Sequence, residues 1–349
     1  MSKEKEIQTI GVIGAGSFGT AIANLIAHNA KVLLYARNKE VVDKINATHR
    51  HLEVDLSEKI TAINDLEELA NSCTLLFAVV PSTNFRQMMQ NLSPYLRPYH
   101  IMIHGTKGFD LTDVDINNLG EENINRSNVH TMSEVVRQES TIVRVGCLSG
   151  PNLSSEIHAG QPTATVIASK FKEVIKAGER VLNSSKFHVY GSFDMLGAEL
   201  SGVLKNAIAL GSGVLAGKGM GKNIQAMLIT RGLVEMIYFG KAMGADSRAF
   251  LGTAGIGDLV ATATSSKSRN FTFGYRYGQG ESMEAIMETM PELAEGVRTI
   301  QIMKRLADSY KIRVPITQMM YSVIYEDFDI DRALGYLIKF PYGVDVDFL

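Results

Sequence analysis

The chain has little cysteine: Cys73 and Cys147 are the only two in 349 residues. Two thiols do not make a disulfide framework, and with histidines scattered along the chain they give no metal-ligand spacing. Both lie in apolar, strand-like runs. They read as small core residues of a protein kept in a reducing compartment, which points to the cytoplasm. Net charge is also small. A formal −2, from 35 basic and 37 acidic residues, gives no reason to expect nucleic acid or an acidic membrane surface as partner. No apolar run reaches the roughly 18 residues of a membrane helix without Gly or a charge breaking it, so no membrane insertion is expected. The opening "MSKEKEIQTIGVIG" runs from charge straight into a strand-like segment and does not read as a signal peptide. Internal repeats, low-complexity tracts and Pro-rich linkers are absent as well. What is present is ordinary for a globular protein: 45% apolar and 21% charged residues. At roughly 100–200 residues per domain, the length suggests two domains.

The first 190 or so residues alternate short apolar runs with helical patterns. "IQTIGVIG", "KVLLYAR", "CTLLFAVV" and "HIMIHG" are nearly continuous apolar strands. "GTAIANLIAHN", "KEVVDKINATHR" and "TNFRQMMQNLSPYL" between them have helical spacing. Strands apolar on both faces and joined by helices predict a parallel sheet covered on both sides. Residues 110–140 are polar and weakly patterned, and read as a loop with short helices. After about Phe193 the strand signal stops and five helical segments follow, beginning with "DMLGAELSGVLKNAIALGSGVL". Their Met and Leu stripes read as core packing rather than a ligand groove. The expected architecture is an α/β domain over 1–193 followed by an all-helical domain over 194–349.

"GVIGAGSFGTAIA" sets Gly14, Gly16 and Gly19 directly after a strand and before a helix. This is G-x-G-x-x-G in the Rossmann-type context it requires. Gly14 allows the tight turn, Gly16 lets backbone approach a pyrophosphate, and Gly19 lets helix pack on strand. The helix N-terminus then offers free N–H groups and a partial positive charge to phosphates. About twenty residues on, NAD-selective sites often carry an acid. Here the second strand ends "LLYARN", with no acid but with Arg37, which suits a 2′-phosphate. NADP is therefore the expected cofactor, with NAD still open. Pro81 and Ser82, in "FAVVPST", stand where ligands bind in such sheets. Lys107 in "IHGTKGF" could hold a substrate phosphate or hydroxyl, but taken by itself it reads first as a surface lysine in a turn. His49, His51, His104 and His188 suggest no partner.

In "ELSGVLKNAIALGSGVLAG", residues 199–217, Lys205 is the only ionisable residue between Glu199 and Lys218. A lysine is rarely buried alone, because its ammonium loses its water. It either carries its amine out to solvent on an apolar stem or is kept inside for its proton. Burial would bring its pKa down from ~10.4, since desolvation disfavours the charged form.

Taken together, "GAGSFGTAIA", "VVPS", "TKGF", "SGPN", the Lys205 helix, "GIGDLVATATSSKSRNFTFG" and "AEGVRT" resemble, in order and over nearly the whole chain, the bacterial-type NAD(P)-dependent glycerol-3-phosphate dehydrogenases. The most specific part is Gly257-Asp258-Leu259 followed by Ser268-Arg269-Asn270. The resemblance implies hydride transfer between NAD(P)H and dihydroxyacetone phosphate, giving sn-glycerol 3-phosphate for glycerophospholipid synthesis. It implies a Rossmann domain and a helical domain, with small molecules as partners; a homodimer is one assembly open to it. Lys205 matches the family's catalytic lysine and Lys107 a substrate-binding lysine that also meets the cofactor. Gly150, Asn152, Asp258, Ser268, Arg269 and Asn270 match substrate positions. Gly14, Gly16, Ser17, Phe18, Gly19, Arg37, Pro81, Ser154, Arg269, Leu293 and Glu295 match cofactor positions. The chain departs from the family at "GPNLSSEI", where the usual pattern is G-P-S/T-F-A-x-E: Asn152 keeps a polar group of another size, and Leu153 and Ser154 replace Phe and Ala.

Such a reaction needs an acid within hydrogen-bond reach of the developing alkoxide. Lys205 supplies it, helped by a second cation (Lys107 or Arg269) if the fold brings one close. Arg269 suits the phosphate, since a guanidinium grips two oxygens at once. Asp258 reads as a helix N-cap that also orients Lys205 or the substrate hydroxyls, and the carboxamides of Asn206 and Asn270 as substrate orienters. Two other readings fit parts of this pattern. One is a β-hydroxy-acid dehydrogenase of the same two-domain plan, and the other is a non-catalytic NAD(P)H sensor. The joint presence of Lys205, Lys107 and Arg269 argues against the sensor.

Overall fold

The computed structural model describes residues 9–115, 119–120, 122–290 and 294–339. The chain divides into two compact units, one of residues 1–110 and 131–195, the other of 111–130 and 196–349. The sequence-based division at 193/194 differs from this in two respects: residues 111–130 belong with the second unit, and Asp194 and Met195 with the first.

The first unit is built on β1 (Thr9–Ile13), β2 (Lys31–Tyr35), β5 (Ile60–Ile63), β6 (Leu75–Ala78), β7 (Ile101–His104), β10 (Arg144–Ser149), β11 (Thr163–Ala168) and β12 (Phe187–Ser192). They form one sheet in the order β12-β11-β10-β7-β6-β1-β2-β5. Every pairing is parallel except β10 with β11. The four early apolar runs, β1, β2, β6 and β7, pair in parallel as their patterning predicts, and the one reversal lies at β11, which follows β10 through a link that holds a five-residue helix. β1 and β6 are buried on both faces, which is why they read as unbroken apolar runs. Helices α1 (Ser17–Ala27), α2 (Lys39–Thr48), α3 (Leu66–Ser72), α4 (Ser82–Leu92), α5 (Met132–Glu139), α6 (Ser154–His158) and α7 (Lys172–Leu182) complete the unit. A two-residue-turn hairpin, β3 (Arg50–His51) with β4 (Val54–Asp55), follows α2. Because β1 has β2 on one side and β6 on the other, the strand order reverses at β1. That places the glycine loop at the switch point where such sheets take ligands. Cys147 lies in β10, but Cys73 ends α3 rather than sitting in a strand; burial pushes its thiol up to about 12, so it is inert.

Where the chain leaves this unit it enters β8 (Asp110–Leu111), which pairs with β9 (Val129–His130) just before the return. The second unit then consists of helices: α8 (Met195–Gly217), α9 (Lys222–Ala242), α10 (Asp258–Thr264), α11 (Arg269–Gly278), α12 (Met283–Thr289), α13 (Glu295–Tyr310), α14 (Pro315–Tyr325) and α15 (Ile330–Lys339). The Met stripes are core, as Met236, Met303 and Met320 show. By length and composition α8 could cross a membrane, yet 89% of its apolar window is buried inside the protein. It is a core helix despite five glycines, each costing about 1 kcal/mol relative to Ala. Packing recovers the loss. A Cβ on Gly213 would lie 2.1 Å from the Phe271 carbonyl oxygen, and one on Gly274 would lie 2.0 Å from that of Leu210. Gly217 and Gly278 repeat the contact one turn on, so α8 and α11 touch backbone to backbone.

Candidate active site

The glycine loop joins β1 to α1. Gly14 has φ 112°, which favours glycine, and its N–H donates to the Tyr35 carbonyl at 3.1 Å. A Cβ on Gly19 would sit 1.8 Å from the Gly14 carbonyl oxygen, so helix and loop are in closest contact there. Gly16 is different. Its backbone is extended, and a Cβ would meet no protein atom within 4 Å. The first turn of α1 has no side-chain cap. An open space before an uncapped helix N-terminus is what an anionic pyrophosphate fits. Gly14, Gly16, Ser17, Phe18 and Gly19 thus form a cradle suited to a dinucleotide. Arg37 is exposed just past β2, and Asn38 beside it caps α2 by accepting the Glu40 N–H. Pro81 is the N-cap residue of α4, with Ser82 buried behind it.

Around this loop the first unit gathers more of the expected residues. Ser17 and Ser154 share a hydroxyl–hydroxyl bond of 2.7 Å. The Phe18 ring lies against Gly105, at the end of β7. Lys107 donates from Nζ to the Gly150 carbonyl at 2.9 Å. Gly150 has φ 142°, again a conformation suited to glycine. Asn152 donates from Nδ2 to Thr165 Oγ1 at 2.9 Å, and Thr165 donates onward to the Ser149 carbonyl. That fixes the amide's orientation and leaves Asn152 Oδ1 buried without a protein partner, an acceptor ready for a hydroxyl or a water.

In the second unit Lys205 is 5% exposed, so its amine does not reach solvent. Its Nζ donates to Asp258 Oδ1 at 2.7 Å and to Thr262 Oγ1, and Thr262 donates to the same Asp258 oxygen at 3.2 Å. Asp258 is 2% exposed. Burial disfavours the ammonium, but a carboxylate in contact favours it. Desolvation is therefore not the only influence on this proton. Asp258 is not an N-cap, as its position after two glycines had suggested. A π-helical turn, Thr253–Gly257, runs straight into α10 and leaves Asp258 inside the helical run, its side chain turned to Lys205. π-Turns of this kind gather at functional sites.

The backbone contact between α8 and α11 brings the neighbouring residues together. Asn270 donates from Nδ2 to Asn206 Oδ1 at 2.9 Å and accepts the Gly296 N–H at 2.8 Å. One carboxamide thereby ties α8, α11 and the start of α13, where Glu295 stands. Ser268 caps α11 by accepting the Phe271 N–H. Arg269, exposed, is the first residue of that helix, where a guanidinium and a helix N-terminus both favour an anion. Leu293 lies outside the described residues.

Three polar residues to which the sequence reading gave no role have defined partners in the fold. Thr262 stands one turn after Asp258, and that spacing of four is the signal that would have found it. His51, assigned no partner, donates from Nε2 to the carbonyl of Ala15 at 2.8 Å and so braces the glycine loop. Glu235, in the apolar α9, accepts the N–H groups of Ile316 and Thr317 and the Thr317 hydroxyl, capping α14 from outside. Burial pushes its carboxyl up to about 7 against those bonds.

Two family models cover the chain: the N-terminal region of NAD-dependent glycerol-3-phosphate dehydrogenase matches residues 9–175, and its C-terminal region matches 194–335. A glycerol-3-phosphate dehydrogenase (NAD(P)+) of Saccharophagus degradans is 37% identical over 344 residues, covering 97% of this chain and 92% of that protein. The enzyme of the same name from Acinetobacter baylyi is 36% identical over 352 residues, covering 99% and 94%. The crystal structure of glycerol-3-phosphate dehydrogenase from Coxiella burnetii superposes with a TM-score of 0.84 at 31% identity, covering 95% of this chain and 99% of that one.

Proposed function

The chain belongs to the NAD-dependent glycerol-3-phosphate dehydrogenase family, and from that premise we propose how its residues divide the work. It is an NAD(P)-dependent oxidoreductase that interconverts dihydroxyacetone phosphate and sn-glycerol 3-phosphate, the glycerophospholipid precursor. Residues 1–193 hold the dinucleotide, and residues 194–349 carry the catalytic and most substrate-binding groups. Gly14, Gly16, Ser17, Phe18, Gly19, Pro81 and Ser154 form the cofactor's seat, with Lys107, Arg269, Leu293 and Glu295 as further contacts. Arg37 receives the 2′-phosphate and tilts the preference to NADP. The bound cofactor supplies the hydride.

Lys205 supplies the proton. As the carbonyl carbon gains hydride, its oxygen takes a proton from Nζ; the N–H electron pair stays on nitrogen, which regains a proton from solvent admitted when the product leaves. The reverse reaction returns the proton to Nζ. Asp258 keeps the amine charged before transfer, and Thr262 holds it in place, in a water-poor setting where such contacts are strongest. Arg269 at the N-terminus of α11 takes the phosphate. Lys107, Gly150, Asn152, Ser268 and Asn270 complete the substrate contacts, with Asn152 Oδ1 an acceptor for a substrate hydroxyl. The protein works in the cytoplasm on small molecules, without nucleic acid or membrane insertion.

The observation that carries this reading is the buried Lys205–Asp258–Thr262 cluster: an ammonium removed from water yet held by a carboxylate and a hydroxyl. The test is loss of NADPH absorbance with dihydroxyacetone phosphate, repeated with NADH and in Lys205→Met and Arg37→Ser. Lys205→Met is expected to lower kcat by about 10²–10⁴-fold, the usual weight of a positioned acid. Arg37→Ser is expected to lower the NADPH-to-NADH ratio. Turnover of Lys205→Met near wild type would overturn the proton-transfer role.

A further inference from the structure

Arg86, in α4, is the hub of a part-buried polar cluster outside the residues assigned to cofactor or substrate. Its Nε and Nη2 both donate to Asp110 Oδ2, at 2.8 and 2.7 Å. Nη2 also donates to Gln138 Oε1 at 2.7 Å, and Nη1 donates to Glu139 at the end of α5. Burial alone would lower the guanidinium's pKa. The bonds and charges of Asp110 and Glu139 outweigh it and hold the pKa above its ordinary value. Three acceptors on two other segments thus take up one planar fork, a geometry that lysine cannot reproduce.

What Arg86 grips is the far end of the Lys107 loop. On the near side Gly105 N–H donates to the Ala78 carbonyl at 2.9 Å, and Thr106 Oγ1 to the Val80 carbonyl at 2.7 Å. On the far side Phe109 is buried and Asp110 is held by Arg86. Both anchors belong to the same stretch of chain, the end of β6 and the start of α4. Lys107 stands between them, its Nζ on the Gly150 carbonyl. A side chain on a loop is only as well placed as the backbone that carries it, and the two anchors fix that backbone on either side.

We propose that Arg86 is a positioning residue for Lys107: by holding Asp110 it fixes the loop that presents the lysine to the substrate. This rests on the reading of Lys107 as a substrate-binding residue. The rival role for the cluster is purely structural, a tie between α4 and α5. The two roles separate because Arg86 has one partner on the loop and another on the helix. Asp110→Asn weakens the grip on the loop, and Glu139→Gln weakens only the tie to α5. Both changes are nearly isosteric.

The experiment measures KM for dihydroxyacetone phosphate, KM for NADPH, kcat and thermal midpoint for Asp110→Asn, Glu139→Gln, Arg86→Lys and Lys107→Met. The expected result is that Lys107→Met raises the substrate KM on the order of ten-fold or more. Asp110→Asn and Arg86→Lys should follow its pattern of KM and kcat in weaker form, while Glu139→Gln keeps wild-type kinetics whatever its midpoint. Equal kinetic effects from Asp110→Asn and Glu139→Gln, or none from either, would leave the cluster structural and overturn the proposal. If Lys107→Met leaves the substrate KM unchanged, the reading of Lys107 has failed, and any effect of Asp110→Asn then has another origin, which also overturns it. Should Arg86→Lys not fold, Asp110→Asn against Glu139→Gln decides alone.

Discussion

Glu235 makes stability depend on pH in an unusual direction. An ordinary glutamate releases its proton near pH 4.5, whereas Glu235 in the folded protein holds its own to about 7. The cause is burial, at 3% exposure, against which three hydrogen bonds from the start of α14 pull the other way. Between those two pH values the unfolded chain has lost the proton and the folded chain has kept it. The folded state binds more protons, so the free energy of unfolding falls as pH rises. At about 1.4 kcal/mol per pH unit, Glu235 withdraws about 3 kcal/mol of stability between pH ~4.5 and ~7, and the loss persists above. Glu235→Gln has no such titration. Its amide can replace one accepting oxygen but turns an N–H toward a backbone N–H, which costs about 1–3 kcal/mol. At pH 5 the wild type should therefore be the more stable of the two, with the gap closing or reversing by pH 8. Urea denaturation of both proteins, followed by circular dichroism at pH 5, 6, 7 and 8, reads this gap, and other titrating groups cancel in the comparison. A gap that stays constant over that range would refute the reasoning, because Glu235 would then have the same charge at both ends.

Two other predictions concern the cofactor cradle. Gly16→Ala meets no protein atom and should leave the thermal midpoint close to wild type while raising KM for NADPH, whereas Gly19→Ala collides with the Gly14 carbonyl and should lower the midpoint itself; a large loss of midpoint in Gly16→Ala would contradict the assignment of that space to a pyrophosphate. His51→Ala removes one hydrogen bond to the glycine loop, worth about 0.5–1.5 kcal/mol, and should raise KM for NADPH roughly two- to ten-fold without moving KM for dihydroxyacetone phosphate; steady-state kinetics with each substrate varied in turn would expose an equal change in both as a general loosening instead.

The readable parts of this protein are those in which the signal is local. The glycine spacing after β1 and the unbroken apolar strands are properties of a few consecutive residues, and so is the lone lysine in α8. Contacts across the fold left no such trace. Arg86 and Asp110 are 24 residues apart, His51 and Ala15 are 36 apart, and nothing in either neighbourhood names the other. The reversal at β11 was hidden because an apolar strand reads alike in either direction. Glu235 is the most instructive. It shares α9 with Lys222, Arg231 and Lys241, so no lone charge marked it as Lys205 was marked, and its partners include backbone N–H groups of a helix end. A buried charge thus says that a partner exists. Whether that partner serves chemistry or architecture has to come from the site around it.

The glycine contacts between α8 and α11 bear on how this region can change. Where helices meet through side chains, their spacing can be retuned by a methylene at a time, and many combinations are tolerated. Here no side chain lies between them at Gly213, Gly217, Gly274 and Gly278, so the separation is set by main-chain atoms that every residue type shares. Lys205 and Asn206 on one helix, and Arg269 and Asn270 on the other, are therefore spaced by a quantity that ordinary core variation cannot adjust. Any larger residue at those four positions forces the two helices apart, and any variation that leaves them alone leaves the spacing untouched. Surrounding sequence can drift while the gauge between these two helices stays constant.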